Sequence, residues 1–314
     1  MLVEHRLAVR DVVLRVTQEG PDDRSRDEVP AVVALHGGPG VDGNGLRWLL
    51  SPLASEMDVV VMDQRGHGLS DLATAATWEL DEWADDVAAV IDSLRLHRPV
   101  VFGISFGGWV ALRYASRHPR QPAAVVMAAQ TARLLRVGQV AERMRELGGA
   151  AAERAWLQAQ QQPLAGAGGA TELGLPLMSV RQPPASLRKV REDQVRTRQV
   201  NAHFTPQFDR LDLTGDAAEV AVPFTLVLGD ADPFTTPALA RETVAAVPSR
   251  GRLVLVPDAA HDLMVDAPDI LLAEIRRSCG EANSDLAVQI TFAGRVGVVD
   301  PVGAGWAWPT SHRG

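Results

Sequence analysis

Six short apolar runs limit the folds open to this chain more than any other feature. They are rich in Val, Ala, Leu and Met, and they occupy residues 31–35, 57–62, 100–104, 123–128, 223–229 and 252–257. Runs of this length that are apolar at nearly every position are typical of strands buried on both faces of a parallel sheet. The sequence therefore predicts a mostly parallel central sheet, with two further strands near residues 7–9 and 12–16.

Helical patterns alternate with these strands. Residues 80–94 carry apolar side chains at i, i+3 and i+4 spacings with aspartates on the other faces, which indicates a helix with one buried face. Helices are also predicted at residues 106–116 and 268–278. Because alternating strands and helices build right-handed βαβ units, the predicted fold class is α/β with a doubly wound, mostly parallel sheet.

The alternation stops near residue 132 and resumes at 223. Residues 133–222 are rich in Ala, Arg, Glu and Gln and are interrupted by prolines and glycines. We expect them to form an inserted helical cap on a core made of residues 1–132 and 223–280. For the extension 281–314, the sequence leaves open a docked strand pair or a disordered tail.

Charge and composition exclude several functions. The 314 residues include 31 Lys and Arg against 39 Asp and Glu, a net charge of −8, which disfavours binding to nucleic acid. A single cysteine, Cys279, excludes a disulfide within the chain and a cysteine-based metal cage. With no His-Glu-x-x-His spacing either, we expect no metal or organic cofactor.

The sequence also gives no sign of a membrane segment. No apolar run approaches the roughly 18 residues of a spanning helix. Charged residues near the N-terminus occupy the place where a signal peptide is apolar. We therefore expect a cytoplasmic protein with no membrane partner.

The strongest chemical signal is Gly-Ile-Ser-Phe-Gly-Gly at residues 103–108. It follows a predicted buried strand and opens a predicted helix. In that context Gly-x-Ser-x-Gly is a nucleophile elbow, a sharp turn that holds the serine hydroxyl above the sheet and needs small neighbours. Ser105 is therefore the predicted nucleophile.

A serine hydroxyl needs a base, and the base needs an acid to orient it. In chains with this elbow, the acid and then the histidine come later in the sequence, each after a strand. His261 follows the last predicted strand and is the predicted base. Asp232 follows the strand before it and is the predicted acid, with Asp230 as the alternative.

Two backbone N–H groups must stabilise the developing oxyanion. One is predicted at Phe106, directly after the nucleophile, and the other in the glycine-rich loop 36–40, at Gly38. That loop lacks the Gly-Lys-Ser/Thr ending of a phosphate-binding loop. A second polar group, at 63–67, is predicted to hydrogen-bond loops beneath the site rather than to contact substrate.

Taken in order, these motifs resemble those of the α/β-hydrolase superfamily over most of the chain up to residue 280. His-Gly-Gly-Pro-Gly at 36–40 together with Asp-Gln-Arg-Gly at 63–66 is similar to the proline iminopeptidase branch. The resemblance implies a serine peptidase that removes N-terminal residues, often proline, from short peptides. It assigns the nucleophile, acid and base to Ser105, Asp232 and His261.

Two departures from that branch bear on specificity. The serine motif is Gly-Ile-Ser-Phe-Gly where the branch usually has Gly-Gly-Ser-Trp-Gly. The branch also places glutamates in its cap to bind the substrate ammonium, and here Val200 stands where one is expected. The other cap carboxylates that the sequence offers are Glu172, Glu192 and Asp193. An ammonium buried without a carboxylate is strongly unfavourable, so these departures disfavour aminopeptidase specificity.

The sequence thus predicts a serine hydrolase that cleaves an ester, thioester, lactone or amide of a small substrate through an acyl-enzyme. A proline iminopeptidase-type activity on short peptides is the first alternative. A non-hydrolytic binder or a cofactor-free enzyme on the same fold is the second, because fold alone does not fix function. The oligomeric state stays open.

Overall fold

The computed structural model describes residues 1–21, 29–161, 177–248, 251–283 and 297–299. The strands are β1 (Leu2–Val9), β2 (Val12–Glu19), β3 (Ala31–Leu35), β4 (Asp58–Met62), β5 (Val100–Ile104), β6 (Ala124–Ala128), β7 (Phe224–Gly229), β8 (Gly251–Val256) and β9 (Gly297–Val299). The α-helices are α1 (Asn44–Leu50), α2 (Leu80–Ser93), α3 (Phe106–Arg117), α4 (Val137–Gln161), α5 (Ala185–Glu192), α6 (Arg198–Phe204), α7 (Thr214–Ala218), α8 (Pro237–Ala246), α9 (Leu263–Asp266) and α10 (Pro268–Asn283). Short 3-10 helices occupy Ser51–Ser55, Ala75–Thr77 and Thr205–Arg210.

The described strands form one sheet in the order β1-β2-β4-β3-β5-β6-β7-β8-β9. From β4 to β8 all neighbouring strands are parallel. The outer strands β1, β2 and β9 pair antiparallel. The predicted α/β class with a mostly parallel sheet is confirmed.

Apolar side chains pack on both faces of this sheet. One buried cluster joins the sheet to α2, α3 and α8, and a second joins the opposite face to α1 and α10. A sheet covered on both faces buries its central strands completely, which is why β3, β5 and β6 are apolar at every position. The sheet is therefore doubly wound, as predicted.

The two N-terminal strands are longer than the apolar runs indicated. β1 and β2 pair along their whole length, from Leu2 opposite Glu19 to Val9 opposite Val12. Along β1, exposed residues alternate with partly buried ones. Because one face of this edge strand is exposed to solvent, its sequence is not a continuous apolar run. β2 also contains polar residues whose side chains pair with neighbouring residues. Arg15, for example, donates a hydrogen bond to the carboxylate of Glu4 at 2.9 Å.

Between β6 and β7 the chain forms the helices α4 to α7. We call residues 133–222 the insertion. Helix α4 is interrupted at Gly149, whose φ of 73° lies in the left-handed region that favours glycine. Residues 162–176, which include Glu172, lie outside the described part of the chain.

At the C-terminal end, α10 continues to Asn283, past the predicted end of the core at 280. β9 then pairs antiparallel with β8 at the edge of the sheet. Of the predicted extension 281–314, the rest lies outside the described residues. Among the helices that the structure describes, none is long and apolar enough to cross a membrane.

Candidate active site

Ser105 lies at the turn between β5 and α3. Its backbone has φ 51° and ψ −125°, a conformation that L residues adopt only when the surrounding structure enforces it. A Cβ on Gly103 would overlap the carbonyl oxygen of Gly107, and a Cβ on Gly107 would overlap that of Leu35. The glycines on either side of the serine thus allow the close approach that the elbow needs.

The strand order places this serine at the point where the sheet changes its direction of winding. The chain passes from β3 to β4 on one side and then crosses to β5 on the other. In open α/β sheets, ligands bind in the crevice at the carboxyl ends of the strands at such a point. The loop after β3 faces the serine there, because a Cβ on Gly37 would lie 3.2 Å from that of Ser105.

The structure brings Ser105, His261 and Asp232 into one hydrogen-bonded chain. Ser105 Oγ lies 3.0 Å from His261 Nε2, and His261 Nδ1 lies 2.8 Å from Asp232 Oδ2. Asp232 is fully buried, and its other carboxylate oxygen accepts hydrogen bonds from the N–H groups of Phe234 and Thr235. This arrangement leaves Nε2 of the imidazole free to accept the serine proton when Nδ1 carries the hydrogen.

Electrostatics favour the charged form of this histidine. Burial lowers the pKa of His261, but the nearby carboxylates of Asp232 and Asp262 outweigh burial and raise it above its ordinary value of 6.5. Asp230, the alternative acid, has an exposed side chain. It is Asp232 that contacts the imidazole.

One predicted oxyanion donor, Phe106, directly follows the serine, and the other, Gly38, is the neighbour of Gly37, which faces the serine. Phe106 is the first residue of α3, so its N–H has no acceptor within the helix. Its ring is buried and meets those of Trp83 and Phe204 at centroid distances of 5.2 and 5.1 Å. Gly38 has φ 121°, again in the region that favours glycine.

The loop that carries Gly38 is attached to the insertion. Asn201 on α6 donates from Nδ2 to the carbonyl oxygen of Pro39 at 2.9 Å. The backbone N–H of Thr197 donates to the carbonyl oxygen of Gly40 at 2.9 Å. The comparison of Val200 with the expected glutamate pointed to this stretch of the insertion, but not to its contact with the glycine loop.

The loop that carries His261 is also attached to the insertion, through two acids that the sequence did not indicate as site residues. The buried carboxylate of Asp266 accepts hydrogen bonds from the N–H groups of Ala260, Val180 and Arg181. Asp262 pairs with Arg191 of α5 at 2.8 Å, although burial raises its pKa. Their only signal in the sequence is their position just after His261.

The second polar group, at 63–67, makes hydrogen bonds to neighbouring loops. Asp63 accepts from the N–H groups of Gly43 and Leu69. Arg65, fully buried, makes paired hydrogen bonds to Asp86 and to Asp11. These contacts match the predicted loop-supporting role.

His67 belongs to the same group and is neutral. Its Nδ1 lies 2.9 Å from the carbonyl oxygen of Arg65. Burial and the neighbouring His36 lower the pKa of His67 to about 3. Burial likewise lowers the pKa of His36, the first residue of the glycine loop, whose ring lies 4.9 Å from that of His67.

None of the described carboxylates proposed for an ammonium site contacts Ser105. Val200 is fully buried in the apolar cluster, and Glu192 and Asp193 are exposed at the end of α5. Asp193 is paired with Lys189 at 3.0 Å. The described residues also contain no group of acids, histidines and cysteines placed to hold a metal ion.

A doubly wound sheet with a serine elbow at its switch point, and an acid and a histidine after the next strands, is the architecture of an α/β-hydrolase. The family model described as serine aminopeptidase, S33, matches residues 30–268. The chain belongs to this family.

Individual relatives agree with that assignment. A probable proline iminopeptidase of Streptomyces coelicolor is 42% identical over 98 residues, which are 29% of this chain and 29% of the relative. A 2-hydroxymuconate semialdehyde hydrolase of Pseudomonas sp. (strain CF600) is 34% identical over 98 residues, 31% of this chain and 35% of the relative. The chain spans about a third of the length of these curated relatives.

Solved structures show the same fold. A proline iminopeptidase of Mycobacterium smegmatis superposes with a TM-score of 0.70 at 19% identity, over 89% of this chain and 98% of that one. The S33 family match, together with this shared fold, confirms the resemblance to the proline iminopeptidase branch at the level of family and fold.

Proposed function

We propose that this protein is a serine hydrolase that cleaves an ester, thioester, lactone or amide of a small, largely apolar acid through an acyl-enzyme. The observation that carries the proposal is the hydrogen-bonded chain from Ser105 through His261 to Asp232. It stands at the switch point of the sheet, where substrates of α/β enzymes bind. A protein that only binds its ligand does not need this hydrogen-bonded serine, histidine and aspartate.

In the first half of the reaction, Ser105 attacks the substrate carbonyl while His261 Nε2 takes the hydroxyl proton. Asp232 holds the imidazole in the required tautomer and stabilises the imidazolium. The N–H groups of Phe106 and Gly38 receive the oxyanion of the tetrahedral intermediate. His261 then gives its proton to the leaving group, and the acyl group stays on Ser105.

In the second half, His261 takes a proton from water, and the hydroxide attacks the acyl-enzyme at the same carbonyl carbon. The oxyanion returns to the same two N–H groups. Collapse of this intermediate breaks the bond to Ser105 Oγ, which recovers its proton from His261. The proposed cycle uses three side chains, two backbone N–H groups and water, with no metal or organic cofactor.

The insertion serves as the cap in this proposal. Support comes from its contacts with both catalytic loops, at Asn201 to Pro39 and at Arg191 to Asp262. A segment attached to both loops is suited to enclosing the substrate and setting its choice. The partner of such a site is a small molecule or short peptide, and the net charge of −8 disfavours nucleic acid.

Aminopeptidase activity is the second candidate, favoured by the S33 family match. It requires a carboxylate that faces the substrate ammonium. Val200, at the expected position, instead packs over Gly66, where a Cβ would come within 2.9 Å of its Cγ2. This buried valine favours substrates that carry no free ammonium.

The test is turnover of a proline anilide and a short-chain phenyl ester by the wild type, by Ser105→Ala and by Ser55→Ala, an exposed serine that serves as the control. We expect ester cleavage that is lost only in Ser105→Ala. Ser105-dependent cleavage of the anilide would favour the peptidase. Turnover of neither compound by folded protein would favour a non-hydrolytic role.

A further inference from the structure

An aromatic surface lies beside the histidine of the site. The ring of Phe234 meets the imidazole of His261 edge to face, with centroids 5.0 Å apart and planes at 89°. The ring of Trp156, on α4, lies 5.6 Å from that of Phe234. Both side chains are only partly buried. The two rings therefore extend an apolar face outward from the imidazole.

Hydrogen bonds and apolar packing hold Phe234 and Trp156 in place. The backbone N–H of Phe234 donates to Asp232 Oδ1 at 2.8 Å, so the backbone of Phe234 is held beside the residue that orients His261. The indole N–H of Trp156 donates to the carbonyl oxygen of Val137 at 3.2 Å. Both rings pack against a small buried cluster of Val140, Met144 and Ala152, together with Leu135 and Leu177.

The reaction places one half of the substrate next to this surface. When the tetrahedral intermediate collapses, His261 Nε2 must lie within hydrogen-bonding distance of the leaving atom to protonate it. The oxyanion lies on the other side, toward the N–H groups of Phe106 and Gly38. Substituents on the leaving atom therefore extend past the imidazole, where Phe234 and Trp156 lie.

We infer that Phe234 and Trp156 form a subsite for an aromatic leaving group, such as an arylmethyl alcohol. The inference rests on the proposed function, because it needs His261 to act as the acid. Aromatic rings prefer edge-to-face and offset contacts with other rings, and the partly buried rings of Phe234 and Trp156 leave exposed ring surface for such a contact. As the carbonyl carbon–oxygen bond breaks, the proton of His261 passes to the alkoxide, and a neutral alcohol leaves from the subsite.

Two isomeric esters test this assignment. Benzyl acetate carries its ring on the leaving alcohol, and methyl phenylacetate carries the same ring on the acyl group. Their leaving alcohols have similar acidity, so a difference in kcat/KM reports chiefly on where the ring binds. We expect the wild type to prefer benzyl acetate.

The variants Trp156→Ala and Phe234→Leu should lower the ratio of kcat/KM for benzyl acetate over methyl phenylacetate by about three- to tenfold. Leu157→Ala is the matched control, since Leu157 is the exposed neighbour of Trp156 on the same helix, and it should leave the ratio unchanged. Using the ratio removes any loss of packing that slows both esters equally. Circular dichroism verifies that each variant is folded.

The outcomes separate the subsite from the reaction itself. If Ser105-dependent turnover is present but the wild type prefers methyl phenylacetate, or if both variants keep the wild-type ratio, the subsite assignment is wrong and the serine mechanism stands. If the folded wild type hydrolyses neither ester and Ser105 is not labelled by a fluorophosphonate, the proposed function fails and the subsite with it.

Discussion

Asn201 and Pro39 join two parts of the chain that lie far apart in the sequence. The side-chain amide of Asn201 donates to the carbonyl oxygen of Pro39 at 2.9 Å, and Asn201 is buried. Pro39 directly follows Gly38, a proposed oxyanion donor. The contact therefore lets the insertion set the position of that donor, which makes Asn201 a positioning residue.

Replacing Asn201 by Ala should lower kcat about three- to tenfold, the value of one hydrogen bond, with a smaller change in KM. The reason is that the oxyanion is bound only in the transition state. Asn201→Asp keeps the shape but turns a carboxylate oxygen toward the carbonyl oxygen of Pro39, so it should lower kcat at least as much as the alanine variant. Gln199→Ala, an exposed change on the same helix, is the control. An unchanged kcat with a raised KM would contradict this role.

Val200→Glu tests whether the missing glutamate can simply be restored. Val200 is fully buried among apolar side chains, so a carboxylate there lacks a partner. We expect the free energy of unfolding to fall by roughly 3 kcal/mol, with no gain of proline anilide cleavage. Chemical denaturation and the anilide assay measure the two effects.

Val195→Glu places the same charge at a partly exposed position nearby and should be close to neutral. A Val200→Glu protein as stable as the wild type that cleaves the anilide would show that this position faces the substrate.

The pH dependence of activity should follow His261. Because the histidine must be neutral to accept the serine proton, kcat/KM should rise as the pH passes upward through its pKa. That pKa lies above its ordinary value of 6.5, so the acid limb should have its midpoint above pH 6.5.

Asp262→Asn should move this midpoint to lower pH, because the carboxylate of Asp262 raises the pKa of His261. The exposed Asp269 provides the control variant Asp269→Asn, which should leave the profile in place. A profile that does not move in Asp262→Asn would show that this carboxylate has no influence on the base.

His67 should make the protein less stable in mild acid. Its pKa is lowered from 6.5 to about 3 in the folded protein, so between these values the unfolded chain binds a proton that the folded protein does not. The free energy of unfolding should therefore decrease as the pH falls through this window, by about 1.4 kcal/mol per pH unit for one such group.

Urea denaturation between pH 4.5 and 6.5 measures this slope. His67→Gln should flatten it, whereas His97→Gln, at an exposed site, should not. Equal slopes in the wild type and His67→Gln would mean that His67 takes up its proton without unfolding.

The sequence predicted the central sheet closely because its strands are buried on both faces. β3 and β5 match their predicted bounds, β4, β6 and β7 each begin one residue later than predicted, and β8 begins and ends one residue earlier. The helix α1 was not predicted, since its 7 residues span too few turns for a clear apolar periodicity. The edge strand β1 is longer than the apolar run that predicted it, because its length is set by backbone pairing with β2 and not by burial.

The candidate site was likewise predicted in part. Local turn chemistry and strand order were enough to select Ser105, Asp232 and His261, which the structure then brings together. The contacts that surround them were not predictable, because they join segments distant in the sequence. Phe234 meeting Trp156 is an example, since neither residue carries a local signal of its partner.

The most direct test of the proposed mechanism is covalent capture of Ser105. The wild type is treated with a fluorophosphonate, and the intact mass and the modified peptide are determined. A serine activated by His261 should gain one phosphonyl group, located on Ser105, and the folded Ser105→Ala protein should gain none. Wild-type protein that is folded and stays unmodified, or that is modified at another serine, would contradict the central claim.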